Sequence, residues 1–165
     1  MPAEATLFPP DPSRDRPVVA ARSLAAVVDD IARFYETLTP LSLTRLDVFY
    51  ARDARFKDPF NEVIGVAAII RIFEHMFASV DAPRFIVHTR LVDGEQAMLG
   101  WDFLFGMGRR DIVIRGVSHL RFDGDGRVVL HRDYWDAAEE LYAKLPVLGA
   151  LMRTLQRRLS VPQPV

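Results

Sequence analysis

The chain has 165 residues, half of them hydrophobic and 26% charged, which supports one buried core and excludes a wholly disordered chain. Lys and Arg number 21 against 22 Asp and Glu, a formal charge of -1, so the basic excess of a nucleic-acid binder is absent. Without cysteine there are no disulfides, thiol nucleophiles or thiolate zinc ligands.

No apolar run reaches the roughly 18 residues of a membrane span, so a membrane is not an expected partner. Met1 to Pro17 carries charges and five prolines but no apolar signal core, which points to a loose arm over 1–22 and a cytoplasmic location. From Ser23, a plausible N-cap, Val27, Ile31, Phe34, Tyr35 and Leu38 recur at helical spacing until Pro40. A second helix is expected from Ser42 to Tyr50, with Leu43, Leu46, Phe49 and Tyr50 on one side. A short strand from Ala51 then ends at the Asp58-Pro59 turn signal. Gly65 precedes a third helix whose stripe is Val66, Ile69, Ile70, Phe73, Phe77 and Val80, stopped by Pro83.

Beyond Pro83 the period changes to that of strands: 84–92, a hairpin turn at Asp93-Gly94, 96–105, a loop over 106–110, 111–122, a turn over Asp123 to Gly126, and 127–135. Helices followed by antiparallel hairpins make an α+β pattern rather than a parallel-sheet one. The chain turns helical again over 137–165, interrupted by Pro146 and Gly149. Leu148, Leu151, Met152 and Leu155 share a face there, so this extension is expected to act as a lid or as an arm onto a second subunit.

Three stretches carry a family resemblance: Phe56-Lys57-Asp58-Pro59-Phe60 at a strand end, the helix opening Gly65 to Phe73, and the sheet segment His119 to Val129. Over residues 24 to 136 the chain resembles the nuclear transport factor 2-like superfamily, which includes ketosteroid isomerase, limonene epoxide hydrolase and SnoaL-like cyclases. The resemblance implies a cone-shaped α+β barrel over 23–136. Its curved antiparallel sheet would wrap three helices around a pocket, and a homodimer would form through the convex sheet face.

Strand period places Ile112, Ile114, Gly116, Ser118 and Leu120 on one face, the more apolar and therefore the inward one. For the last strand, periodicity groups His131, Asp133 and Trp135, and the resemblance to ketosteroid isomerase points them inward. Asp58 resembles that enzyme's catalytic aspartate; the alternative is a cap for the turn before Pro59. The same resemblance puts the enzyme's two oxyanion donors at Phe34 and Ser118. Tyr35, rotated about 100° from Phe34, would then point elsewhere. The oxyanion apparatus of ketosteroid isomerase, which is the standard example of a tyrosine working with a protonated aspartic acid, is therefore incomplete here.

His131 and Asp133, two apart on one strand, form with Asp58 the candidate catalytic set: His131 moves a proton, and Asp133 orients it or serves as base. Phe34, Trp101, Ser118 and Trp135 are the candidate ligand contacts, with Ser118 as a donor. Against this stands the reading in which Asp133 pairs with an arginine and His131 is a satisfied core residue. Arg132, Asp133, Tyr134 and Asp136 also resemble the end of the sheet in limonene epoxide hydrolase-like proteins, but no arginine lies within 96–105 to complete that apparatus. Asp102, on the outer face, is expected to pair with Arg115 or His119. His75, His88, His119 and His131 have no metal-ligand spacing, so no metal and no cofactor is expected. The sequence thus points to a cofactor-independent isomerase, lyase or cyclase for a hydrophobic, oxygenated ring compound. The alternative is a non-catalytic ligand-binding or dimerisation module of the same fold.

Overall fold

The computed structural model describes residues 23–140. The expected arm over 1–22 and the helical extension beyond residue 140 lie outside the described residues. Helix α1, Leu24–Glu36, starts where Ser23 accepts the Ala26 N–H at 3.3 Å. Its buried arc is wide: Val28, Ile31, Ala32, Phe34 and Tyr35 all face the core. The second helical stretch divides. Pro40–Arg45 is a 3-10 helix opened by a capping box between Thr39 and Ser42, and α2 is only Leu46–Phe49. Tyr50, expected at the end of that helix, already belongs to strand β1, Tyr50–Lys57.

A three-residue strand β2, Glu62–Ile64, follows the Asp58-Pro59 corner and pairs back on β1. The sequence reading missed it because three residues are too few to show a period. Helix α3, Val66–Ser79, follows Gly65, whose φ of 97° suits glycine. Ile69 and Phe73 are its buried residues, while Val66, Ile70, Phe77 and Val80 pack partly buried on the core. Strands β3 (Asp81–Asp93), β4 (Gln96–Met107), β5 (Arg110–Phe122) and β6 (Val128–Tyr134) follow, and the short helix α4 is Ala137–Glu140. The loop expected over 106–110 is a tight turn, because both flanking strands run longer than their apolar alternation.

The six strands lie in the order β2-β1-β6-β5-β4-β3. All neighbours are antiparallel except β1 and β6, which run parallel, so the sheet is mixed rather than purely antiparallel. Register shifts in β3 between Val87 and Thr89, and in β1 between Tyr50 and Arg55, mark bulges that bend the sheet. The bulge at Val87 is held from α1, where Glu36 accepts the Val87 N–H at 3.0 Å. Leu46, Tyr50, Phe56, Ile69 and Leu120 are fully buried between the helices and the concave face. Among the described residues no helix is long and apolar enough to cross a membrane.

Candidate active site

Alternation on β5 and β6 builds the polar part of the site. Ser118 and Asp133 are direct cross-strand partners, and His131 lies two residues along, opposite Leu120. His131 is also paired across β1 with Phe56, so its ring stands in the concave interior near Tyr50, with Phe56 packed against it at 4.9 Å.

A continuous buried hydrogen-bond chain results. Tyr35 Oη meets Tyr50 Oη at 2.6 Å, and Tyr50 Oη meets His131 Nδ1 at 2.5 Å. His131 Nε2 lies 2.8 Å from Asp133 Oδ1 and 3.1 Å from Ser118 Oγ. The Ser118 hydroxyl donates to Asp133 Oδ1 at 2.5 Å while accepting the Trp101 indole N–H at 2.8 Å. A carboxylate only accepts, and the one Ser118 proton is already committed, so Nε2 carries a hydrogen when Asp133 is ionised. Burial pushes both phenols up, and the Asp133 charge adds to the effect. Tyr35 and Tyr50 therefore stay protonated at neutral pH.

Two linked cavities open on this chain. An inner recess of about 30 Å3 is lined by Tyr35, Trp101, Ser118, His131 and Asp133, with apolar neighbours such as Phe85. A probe-sized space of roughly 10–15 Å3 is enough for one water, so the recess takes one or two small groups and not a ring. An outer chamber of about 280 Å3 shares Phe73, Phe85, Trp101 and Asp133 with the recess. Aromatic and aliphatic side chains make most of its wall, and Trp135, Phe60 and Asp58 lie toward its rim.

Asp133 stands at the junction, with 16% of its side chain exposed. Its hydrogen bonds among the described residues all fall on Oδ1. No buried side-chain oxygen there lacks a partner, so Oδ2, which has none, is solvent-accessible, and Asp133 lines both cavities. His131 Nε2 and the Ser118 hydroxyl are its side-chain partners. No lysine or arginine among the described residues pairs with it.

Asp58 has a different environment. Its Oδ1 accepts the Phe60 N–H at 2.7 Å and the Asn61 N–H at 2.6 Å, and the Asn61 amide donates to both oxygens. The carboxylate that borders the chamber is thus tied into the turn. That turn carries Phe60, whose ring meets Trp135 edge-on at 5.3 Å. Trp101 lies flat against Gly116, where a Cβ would come 2.4 Å from the indole. Glycine at this strand position is what lets the indole N–H reach Ser118.

Phe34 does not line either cavity. It is buried against Phe49, with ring centroids 5.1 Å apart. Tyr35 lines the recess instead, correcting the expectation that it points elsewhere. The buried arc of α1 is broad enough to turn both rings inward, and a gap-free count back from Asp58 cannot follow the 3-10 turn between them. Tyr50 was missed as a site residue. Reading the alternation of Phe56 and Ala54 back across the bulge would have pointed to it. On the convex face, Asp102 pairs with His88 at 3.1 Å rather than with Arg115 or His119; His119 meets Gln96 at 2.8 Å. Among the described residues no cluster of His, Asp or Glu is arranged to hold a metal.

None of the curated proteins matches the chain in sequence. Solved structures match its fold. A hypothetical protein from Catenulispora acidiphila with a ketosteroid isomerase-like fold, in complex with trimethylamine, aligns at TM-score 0.62 and 16% identity, covering 73% of this chain and 93% of the other. An epoxide hydrolase of M. tuberculosis, like limonene epoxide hydrolase, aligns at TM-score 0.60 and 16% identity over 80% and 95%. A chain described as a SnoaL-like polyketide cyclase from Shewanella putrefaciens aligns at TM-score 0.58 and 23% identity over 70% and 96%. At such identities the likeness speaks for the fold. A profile of the SnoaL-like domain matches residues 31–131, the span that carries Tyr35, Tyr50, Ser118 and His131, and the chain therefore belongs to the SnoaL-like family of the nuclear transport factor 2-like superfamily.

Proposed function

We propose that the protein is a cofactor-independent isomerase, lyase or cyclase that moves protons on a hydrophobic, oxygenated ring compound. The observation that carries this reading is the unpaired Oδ2 of Asp133, a carboxylate without a lysine or arginine partner among the described residues, at the junction of an apolar chamber and a small recess that Ser118 and His131 also line. A binder that merely needed a stable wall would gain nothing from leaving such an oxygen open.

The chamber, close to the lower end of the roughly 300–1,000 Å3 range of ligand pockets, suits a compact ring system. Trp101 and Trp135 contribute flat walls to it. The ring lies among the aromatics and its oxygen enters the recess. Asp133 is the base. His131, hydrogen-bonded to Oδ1, holds the carboxylate in place and stabilises its charge. Ser118 fixes the same oxygen and links it to the Trp101 wall. Asp58, the third member of the candidate set, serves by holding the rim turn and Phe60 against Trp135.

The test uses 2-tetralone, a two-ring ketone with acidic C–H bonds beside its carbonyl. Both tryptophans of the chain line the chamber, so binding quenches their fluorescence. Exchange of the acidic protons in D2O, followed by proton NMR, is expected to be faster than in buffer, and slowed about 100-fold or more by Asp133→Asn. Binding with no acceleration leaves a non-catalytic ligand-binding protein and refutes the enzyme reading.

A further inference from the structure

Two tyrosines, each buried and each with its hydroxyl committed inside the protein, have no part in the reading above. Tyr35 lines the recess; Tyr50 does not, yet its hydroxyl sits between Tyr35 and His131 at hydrogen-bond distance from both. The chain therefore leaves the recess at Tyr35 and returns to it at Asp133, passing through Tyr50 and the two nitrogens of His131. We propose that these four residues form a closed proton circuit, in which Tyr35 gives a proton to the bound molecule's oxygen as Asp133 takes one from its carbon. In it Tyr35 is a catalytic residue, and Tyr50 is a positioning residue that refills it.

The circuit rests on Asp133 acting as the base, and its proton balance closes. At the start His131 is an imidazolium and Asp133 a carboxylate. Nδ1–H then donates to Tyr50, Tyr50 to Tyr35, and Tyr35 to the oxygen of a carbonyl in the recess. Asp133 Oδ2 takes the proton from the carbon beside the carbonyl, breaking that C–H bond. Its electron pair forms the C=C bond of an enol, and the carbonyl oxygen takes the Tyr35 proton. Tyr35 takes that of Tyr50, and Tyr50 takes the Nδ1 proton. His131 is left neutral with Nε2–H on Asp133 Oδ1, and Asp133 holds the substrate proton on Oδ2. Running the chain backwards while Asp133 returns a proton to that carbon restores the ketone and the imidazolium–carboxylate pair; a ketone with a C=C bond beside that carbon forms a dienol instead, and return of the proton to its far end gives the conjugated isomer. A turnover needs no proton from solvent, in keeping with a recess that admits only one or two small groups; exchange in D2O reads the proton that Asp133, 16% exposed, trades with solvent before returning it.

Two probes of one shape separate the circuit from a merely structural role. The enol of 2-tetralone needs a proton on oxygen. The anion of 2-nitrotetralin spreads its charge over the nitro group and needs none. In D2O exchange, Tyr50→Phe is expected to slow the ketone about 100-fold and the nitro compound far less, with ketone affinity unchanged. Tyr35→Phe should show the same selectivity, so one variant suffices if the other fails a circular-dichroism check of folding. Asp133→Asn should abolish both exchanges. Equal slowing of the two probes in the tyrosine variants, or no slowing of either, while Asp133→Asn still abolishes exchange, overturns the circuit alone. Rates unmoved by Asp133→Asn remove the base itself and the circuit with it.

Discussion

Gly116→Ala tests the geometry on which the recess depends. A methyl group added there would meet three atoms of the Trp101 six-membered ring, at 2.4, 2.6 and 2.9 Å. Carbon atoms pack at about 3.5–4.0 Å, so the indole must retreat by about 1 Å into the space it lines. Its N–H is 2.8 Å from Ser118 Oγ, and such a shift carries it past useful hydrogen-bond length. Overpacking of this kind costs about 1–3 kcal/mol. The relief that alanine offers a strand over glycine, at most about 1 kcal/mol, offsets only part of this. The assay is urea unfolding of four proteins: parent, Gly116→Ala, Trp101→Phe and the double variant. Phenylalanine lacks the outer ring atoms that collide, so Gly116→Ala should cost at least 1 kcal/mol less in the Trp101→Phe background. Additivity within about 0.5 kcal/mol, or a Gly116→Ala protein as stable as the parent with Trp101 fluorescence unchanged, would show that the indole does not lie on Gly116.

Two further outcomes follow from the buried chain. Ser118→Ala removes the acceptor of the Trp101 N–H and a donor to Asp133; urea unfolding should show a loss of about 1–3 kcal/mol, and tetralone exchange should fall because Oδ1 keeps only His131. The second concerns alkaline stability. Tyr35 and Tyr50 are held above the ordinary value of 10.0 in the folded protein, chiefly by burial. Above pH 10 the unfolded chain releases phenolic protons that the folded one retains, so stability is intact below pH 10 and falls as pH rises beyond it. Each such tyrosine adds about 1.4 kcal/mol per pH unit to the slope. Between pH 10 and 11 the unfolding free energy of Tyr50→Phe should decline less steeply than that of the parent by about that amount, and equal slopes would show that Tyr50 is not buried as a phenol.

The inward face of β5, Ser118 included, was legible because strict alternation needs nothing but a period of two and the more apolar set faces the core. On β6 alternation only grouped His131, Asp133 and Trp135, and the resemblance to ketosteroid isomerase was needed to turn them inward. What period could not supply was register. The pairing of Ser118 with Asp133 depends on where β5 meets β6, and the parallel seating of β1 against β6 brings Tyr50 beside His131 across 81 residues of chain. The helical face failed for a related cause. A helix offers a continuous arc, so Phe34 and Tyr35 are both buried, and only the strand bulge and the 3-10 turn decide which of them reaches the cavity. Asp58 shows the converse. The Asp-Pro corner was read correctly as a turn, and the carboxylate read as either a cap for that turn or a catalytic group accepts two backbone N–H groups within 2.7 Å while bordering the chamber.

Those bonds bear on why the proposal places the base at Asp133 and not at Asp58. Both carboxylates border one chamber, but Asp58 has both oxygens engaged by its own turn, Oδ1 by two backbone N–H groups and both by the Asn61 amide. Asp133 has its anchors on Oδ1 alone, from groups that are themselves held: Ser118 by the Trp101 indole, His131 by Tyr50. One oxygen is fixed and the other left open, which positions a base without fully quenching it. In the proposed circuit a carbon at Oδ2 has its neighbouring oxygen in the recess that Tyr35 lines. The sheet supplies this arrangement from four adjacent strands, β1, β6, β5 and β4, and the helical residue Tyr35 closes it from the opposite wall. Removing the tyrosine from α1 would leave the base in place with nothing to answer the charge it creates.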